Sequence, residues 1–182
     1  MSKVLFLDID GVLQPTSSRE RFEHLKDIDS LYKQLFDTYG VDYSVYPNYD
    51  VAAVYYDWDK QSVTELKRIL ETTGANIVLS SDWRQNPAPN RMLNFFRMHD
   101  LDKYFIDCTP KSVSEAKIKE YRNIREERSI EILEYLKEHP EVEKWVAVDD
   151  LPLDRDFEKN AVVTNYKLTR EHSYKCIEIL NS

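Results

Sequence analysis

Short apolar runs that end in polar residues recur along the chain. The strongest are Lys3–Leu7, Asn76–Leu79 and Trp145–Val148. Each is nearly continuous in apolar residues, as in strands that a parallel sheet buries on both faces. Tyr104–Ile106 and Ala161–Val163 are weaker runs of the same kind. The pattern predicts three buried strands and two further candidates.

Helical periodicity separates these runs. One apolar stripe follows Ser62, whose spacing to Glu65 predicts a capping box, and Gly74 is expected to end this helix. A second helix is expected to end before Pro140, and a third to follow Thr169. The three stripes consist of Val63, Leu66, Ile69 and Leu70; of Ile132, Leu133 and Leu136; and of Tyr174, Ile177 and Leu180. The alternation of strand and helix predicts an α/β fold with a parallel sheet.

The composition of the 182 residues, with 42% hydrophobic and 32% charged, is typical of one globular domain. The apolar run before Asp8, Val4–Leu7, has only four residues, too few for a signal peptide or membrane span, so we expect a soluble, cytoplasmic protein. The net charge of −8 argues against general nucleic-acid binding, and three glycines cannot build a glycine-rich phosphate loop. Two isolated cysteines indicate neither a zinc site nor a disulfide framework.

Carboxylates and hydroxyls follow the three strongest strands. In open α/β sheets, ligands bind at the carboxyl ends of the strands, so these side chains are expected to converge on one crevice. Clustered carboxylates repel one another unless a hard cation neutralises them, and Mg²⁺ is the natural candidate. A single aspartate at a strand end is as often a turn or capping residue, so the whole set carries the argument. The set is Asp8 and Asp10, Ser80 and Ser81, and Asp149 and Asp150.

Four motifs, in chain order, resemble those of the haloacid dehalogenase (HAD) superfamily. Leu7–Leu13, with the pattern DxDGxL, looks like its first motif, Ser80 like its second, and Asp149-Asp150 like its fourth. The third motif normally supplies a lysine at the start of the helix before the fourth motif, and Arg128 occupies that place here, which predicts Arg128 in the first turn of the helix. Ser80–Arg84, combined with the RxxE spacing that starts at Arg128, is similar to HAD domains found in RNA-repair proteins.

The resemblance implies a Rossmann-like parallel sheet flanked by helices and a magnesium-dependent phosphatase. Asp8 would be the nucleophile that forms an aspartyl phosphate, and Asp10 would protonate the leaving group and then activate water. The implied phosphate-binding residues are Ser80, Ser81 and Arg128. The implied metal ligands are Asp8, Asp150 and the backbone carbonyl of Asp10, with Asp149 in support.

The resemblance also implies a small cap inserted after the first strand. We expect this cap at residues 14–58, with the catalytic core formed by residues 1–13 and 59–182. The segment is rich in aromatic residues, which can stack a nucleobase or can form the core of the cap itself. The aromatic residues are Tyr32, Tyr39, Tyr43, Tyr46, Tyr49, Tyr55, Tyr56 and Trp58.

Several assignments stay open at this stage. The acidic balance favours a small phosphorylated metabolite or nucleotide as substrate, with a nucleic-acid end or a non-catalytic binding module as alternatives. Asp10 counts against a dehalogenase, since halide leaves without protonation. Lys119 or Arg125 could replace Arg128 as the phosphate ligand. Arg84 could reach substrate or could support Trp83.

Overall fold

The computed structural model describes residues 2–84, 89–111 and 124–182. Within these ranges five parallel strands form one sheet in the order β3-β2-β1-β4-β5. They are β1 (Ser2–Leu7), β2 (Asn76–Leu79), β3 (Phe105–Cys108), β4 (Val142–Asp149) and β5 (Ala161–Val163). The chain moves outward from β1 in one direction and then from β4 in the other, so the topological switch lies between these two strands. The predicted Rossmann-like α/β fold is confirmed.

Two strands, β4 and β3, differ from their predicted bounds by more than the single residue added at the start of β1. β4 begins at Val142, three residues earlier than its apolar run, because pairing with β1 continues from Leu7 and Val148 back to Ser2 and Val142. β3 is shifted toward its C-terminus, since Tyr104 belongs to the short turn that precedes the strand. A continuous apolar run identifies where a strand is buried, whereas backbone pairing decides where it ends.

Helices and helical turns cover the sheet. They are α1 (Arg21–His24), α2 (Ile28–Tyr39), α3 (Asn48–Ala52), α4 (Lys60–Thr73), α5 (Pro89–Arg97), α6 (Ile124–Glu138), α7 (Asp154–Phe157) and α8 (Arg170–Asn181). Short helical turns follow α1 at Leu25–Asp27 and α3 at Ala53–Asp57. Among the described residues, no helix combines the length and apolar character needed to cross a bilayer.

The capping box predicted at Ser62 is wrong. Asp59 is the N-cap of α4, and its carboxylate accepts a hydrogen bond from the Ser62 backbone N–H at 2.8 Å. Glu65 is buried and accepts a hydrogen bond from the Ser173 hydroxyl of α8 at 2.7 Å. Asp59 and Ser62 are both residue types that cap helix N-termini, and the helix begins after Asp59, so Ser62 and Glu65 lie inside it. Gly74 ends the helix with φ +70°, as predicted.

Helix α6 begins before the position predicted for it. Arg128 therefore lies in the second turn of α6, and its predicted place in the first turn is wrong. Ile132 on the same helix is fully buried, whereas Leu133 is 53% exposed. Leu133 follows Ile132 directly, and successive helical residues differ by about 100° in direction, so the Leu133 side chain points away from the sheet.

The segment 14–58 packs into the same hydrophobic core as the sheet. Tyr43 is fully buried, and its hydroxyl donates a hydrogen bond to the Asn94 carbonyl of α5 at 2.8 Å. Tyr46 packs edge-to-face on Phe95, with ring centroids 5.4 Å apart. Four other tyrosines of the segment are partly buried against this core: Tyr32, Tyr39, Tyr55 and Tyr56. Most of these aromatic residues thus serve packing, and the division of the chain into cap and core stays a prediction.

Candidate active site

Three predicted carboxylates meet at the switch between β1 and β4. The backbone N–H of Asp8 donates to the carbonyl of Val148 at 3.0 Å, which places the ends of the two strands side by side. Carboxylate oxygens of Asp8, Asp149 and Asp150 all lie within 4.8 Å of one another. Asp8 and Asp149 are buried, and Asp150 is exposed. We call these three residues the carboxylate cluster.

Arg128 reaches the carboxylate cluster from α6. Its Nη1 donates to Asp8 Oδ1 at 3.1 Å and to Asp149 Oδ2 at 2.5 Å, and the side chain is only 5% exposed. Burial alone would lower the pKa of Arg128, but the charges of Asp149 and Asp8 outweigh it and raise that pKa. One guanidinium therefore contacts two of the three carboxylates of the cluster.

The electrostatics of the carboxylate cluster fit a bound cation. Burial raises the pKa of Asp149, and the charge of Asp8 raises it further despite the nearby Arg128. Burial and Asp8 likewise raise the pKa of Asp150. A set of hard oxygen donors with excess negative charge is the kind of site that Mg²⁺ occupies. The residues present fit the metal that the sequence predicts.

Asp10 lies apart from these three carboxylates. Gln14 Nε2 donates to its Oδ1 at 2.9 Å, and the indole Nε1 of Trp83 donates to its Oδ2 at 2.9 Å. Desolvation raises the pKa of Asp10, the hydrogen bond from Trp83 opposes this, and the charge of Asp8 adds to the increase. Neither donor to Asp10 was predicted from the sequence. The four-residue spacing to Gln14 is a local signal, but nothing in the sequence indicates the contact with Trp83.

Ser80 and Ser81 are both buried at the end of β2. The Ser80 backbone N–H donates to the Leu7 carbonyl at 2.9 Å, so this loop lies beside the residue that precedes Asp8. The Ser81 hydroxyl accepts a hydrogen bond from the Trp83 backbone N–H at 3.4 Å. The fold places both serines at the same edge as Asp8, and their binding of phosphate stays a prediction.

Arg84 connects the loop after β2 to helix α6. It forms an ion pair with Glu131 and donates to the carbonyls of Ser80 and Ser81, the latter at 2.8 Å. Its side chain is 4% exposed. Arg84 thus braces the serine loop against the helix that carries Arg128. The ion pair with Glu131 was not predicted, although Glu131 is the glutamate of the RxxE spacing that starts at Arg128.

The alternative phosphate ligands differ in position. Arg125 donates to Asp156 of α7 at 2.5 Å and also pairs with Glu126, so its guanidinium is engaged away from the carboxylate cluster. Lys119 lies outside the described residues. Of the two arginines on α6 named by the sequence analysis, Arg128 contacts the carboxylates.

An open cleft of about 310 Å³ begins at the side chain of Asp10. It is lined by Asp10, Asp50, Asp82, Trp83 and Arg91. Arg91 forms an ion pair with Asp50 of α3, and its Nη1 donates to the Trp83 carbonyl at 3.3 Å. The cleft therefore gives a ligand access to Asp10 between α3, α5 and the turn after β2.

A protein-family model matches most of the chain. The model of the HAD domain in Swiss Army Knife RNA repair proteins, HAD_SAK_2, matches residues 4–172. This range contains all four motifs and the five strands except for the first two residues of β1. Comparisons with curated proteins and with solved structures gave no match. The chain belongs to the HAD_SAK_2 family of HAD domains.

Proposed function

We propose that this HAD domain is a magnesium-dependent phosphatase that hydrolyses a phosphate monoester through an aspartyl phosphate on Asp8. The observation that carries the proposal is the separation of two acidic functions. Asp8 lies in the carboxylate cluster with Arg128, whereas Asp10, two residues later, is held apart at the head of an open cleft. A nucleophile and an acid/base group need this division of roles.

In the first step, a carboxylate oxygen of Asp8 attacks phosphorus, and the bond from phosphorus to the leaving oxygen breaks. Asp10 gives its proton to that oxygen, so the product leaves as an alcohol. In the second step, Asp10 takes a proton from water, and the water oxygen attacks phosphorus and releases Asp8 and inorganic phosphate. Splitting the displacement into two steps suits a reaction as slow as phosphate-ester hydrolysis.

The Asp8 carboxylate and the phosphate of the substrate are both anions, so positive charge is needed where they approach each other. Asp8, Asp150 and the backbone carbonyl of Asp10 would hold Mg²⁺, with Asp149 in support, and the bound ion would supply charge neutralisation for the phosphate. Arg128 would contribute a second cation, and Ser80 and Ser81 would donate hydrogen bonds to phosphate oxygens. Positioned charges and donors of this kind are the main source of catalysis in phosphoryl transfer.

The charge of the cleft supports a small substrate, such as a phosphorylated metabolite or a nucleotide. Carboxylates of Asp10, Asp50 and Asp82 line it, and Arg91 already pairs with Asp50. Carboxylates accept hydrogen bonds from hydroxyl groups of a leaving group and repel additional phosphates. A polynucleotide would bring more phosphates toward this wall.

The second candidate is a phosphatase acting on a polynucleotide end, which the description of the family in RNA-repair proteins favours. A non-catalytic module is the third reading. A screen of phosphate release separates these functions: phosphorylated metabolites, nucleotides, and 5′- and 3′-phosphorylated oligonucleotides are compared with Mg²⁺ and with EDTA. We expect magnesium-dependent release, fastest from a small monoester. Preference for oligonucleotides would favour the second candidate.

The nucleophile is tested with Asp8→Asn, because an amide is neither a comparable nucleophile nor a charged metal ligand. Asp37→Asn, at an exposed position on α2, is the matched control. We expect no turnover from Asp8→Asn, turnover near the parent level from Asp37→Asn, and unchanged circular dichroism for both. Near-normal activity of a folded Asp8→Asn protein would refute the mechanism. If the parent protein binds Mg²⁺ but releases phosphate from none of the esters, the result would support the non-catalytic module.

A further inference from the structure

We propose that Trp83 is a positioning residue for Asp10, acting with Gln14 through hydrogen bonds to the two oxygens of one carboxyl group. The inference rests on the proposed function, since it concerns the group that would serve as acid and base. It adds two residues, Trp83 and Gln14, that are not among the motif residues given roles in the proposed mechanism. Trp83 follows the second motif, and Gln14 follows the first.

The two donors hold Asp10 from two different parts of the chain. The Trp83 indole comes from the turn after β2, and the Gln14 amide from the loop after β1, each 2.9 Å from its own carboxylate oxygen. Gln14 is buried, and its backbone carbonyl accepts a hydrogen bond from the Gly11 N–H at 2.7 Å. Asp10 is open to solvent where it lines the cleft, although the surrounding protein partly desolvates its carboxyl group. An exposed aspartate without such partners would populate several rotamers.

The indole is itself held in place. Its ring packs edge-to-face on Trp58 and Phe95, with centroids 6.2 and 6.3 Å away. The Trp83 backbone N–H donates to the Ser81 hydroxyl, and its carbonyl accepts from Arg91. A group fixed through both its ring and its backbone can transmit a defined orientation to Asp10.

The chemistry of the donors determines where the proton of Asp10 can lie. An indole N–H and an amide N–H donate hydrogen bonds and cannot accept one. Each therefore occupies a lone pair of the carboxyl group and leaves the remaining lone pairs for the acidic proton. The proton is thus directed away from Trp83 and the Gln14 amide nitrogen, and remains available to a leaving group in the cleft.

The test measures how much Trp83→Phe lowers kcat/KM in two backgrounds, the parent protein and the Asp10→Ala variant. The probes are phenyl phosphate and p-nitrophenyl phosphate, which are similar in shape. Phenolate is a poorer leaving group than p-nitrophenolate, so phenyl phosphate depends more on protonation by Asp10. Their kcat/KM values report the step in which the leaving group departs. With Asp10 present, we expect Trp83→Phe to lower kcat/KM for phenyl phosphate about tenfold and for p-nitrophenyl phosphate less. With Asp10→Ala, the effect on both should be less than about twofold.

The control is Trp58→Phe, because Trp58 belongs to the same aromatic group and its indole nitrogen has no hydrogen-bond partner among the described residues. This variant should lower both kcat/KM values by the same small factor. An equal Trp83→Phe effect with and without Asp10 would overturn the proposal and assign Trp83 to packing or to substrate stacking.

A second measurement is independent of catalysis. The indole N–H signals of the three tryptophans are recorded by NMR, and the Trp83 signal is assigned by its loss in Trp83→Phe. We expect Asp10→Ala to move that signal upfield and to accelerate its exchange with solvent. An unchanged signal would overturn the proposal even if the protein has no phosphatase activity. If the signal shifts but the protein has no phosphatase activity, the shift supports the hydrogen bond between Trp83 and Asp10, and the lack of activity refutes only the proposed function.

Discussion

Gly11 and Asp150 lie so close together that a Cβ atom placed on Gly11 would be 2.7 Å from the Cβ of Asp150. Gly11 also has φ +74°, a conformation that other residues adopt at a cost. Its carbonyl accepts a hydrogen bond from the buried hydroxyl of Thr164 at 2.7 Å, which ties the loop to the end of β5. The glycine of the first motif therefore leaves room for a predicted metal ligand of the fourth.

We expect Gly11→Ala to weaken Mg²⁺ binding as well as folding. Positive φ alone should lower the free energy of unfolding by about 1–2 kcal/mol, and the clash should displace Asp150. Gly40→Ala is the control, because Gly40 has φ +67° with no atom within 4 Å of the added Cβ. Titration calorimetry and urea unfolding check both variants. Equal Mg²⁺ affinities in the two would contradict the role given to the contact with Asp150.

Arg128→Ala should reduce turnover at least about a hundredfold, the scale expected when one donor to transition-state charge is removed. Arg128→Lys should recover part of this loss, since lysine keeps the positive charge but lacks the planar guanidinium that contacts both Asp8 and Asp149. Arg125→Ala and Lys119→Ala are the comparison variants, and we expect only a few-fold change from each. If either is the crippled variant while Arg128→Ala is nearly normal, the assignment of the third motif is wrong.

Asp10→Asn and Asp150→Asn should separate acid/base chemistry from metal binding. The Asp10 carboxylate faces Gln14 and Trp83, and only its backbone carbonyl is assigned to Mg²⁺. Asp10→Asn should therefore retain Mg²⁺ affinity while turnover falls by about 10²–10⁴-fold. Asp150→Asn should lose affinity as well as turnover. Calorimetry showing the same loss of affinity in both variants would refute this division of roles.

His99 should make folding sensitive to mild acid. Burial against Trp58 lowers the pKa of His99, Lys67 adds to the decrease, and a hydrogen bond to the Val54 carbonyl at 2.9 Å and the charge of Asp100 oppose it. Below about pH 6.5 the unfolded chain then binds a proton that the folded chain resists, so stability falls as pH decreases.

The measurement compares the free energy of unfolding of the parent protein and of His99→Gln at pH 7 and pH 5. One proton changes the slope by at most about 1.4 kcal/mol per pH unit. We expect the parent to lose more stability than His99→Gln over this interval. Equal losses in the two proteins would show that His99 does not contribute.

The sequence alone predicted the architecture and the edge of the sheet at which the site lies. The predicted strands at Asn76–Leu79 and Ala161–Val163 have the observed bounds, because short apolar runs closed by polar residues leave little freedom in a parallel sheet. The DxDG run and the Asp149-Asp150 pair carry enough local information to predict the family, which the comparison confirms.

The tertiary structure decided which polar groups are partners. The bond from Trp83 to Asp10 joins residues 73 positions apart, and that from Arg128 to Asp8 joins residues 120 apart. Periodicity indicates which side of an element is buried, but it has no information about which side chain comes from a distant turn or helix. The same limit applies to the capping error at Ser62: the helix begins after Asp59, and the buried Glu65 accepts a hydrogen bond from Ser173 of α8, a partner 108 positions away. Local patterns determined where polar side chains emerge from the sheet, and packing among distant segments determined which of them meet.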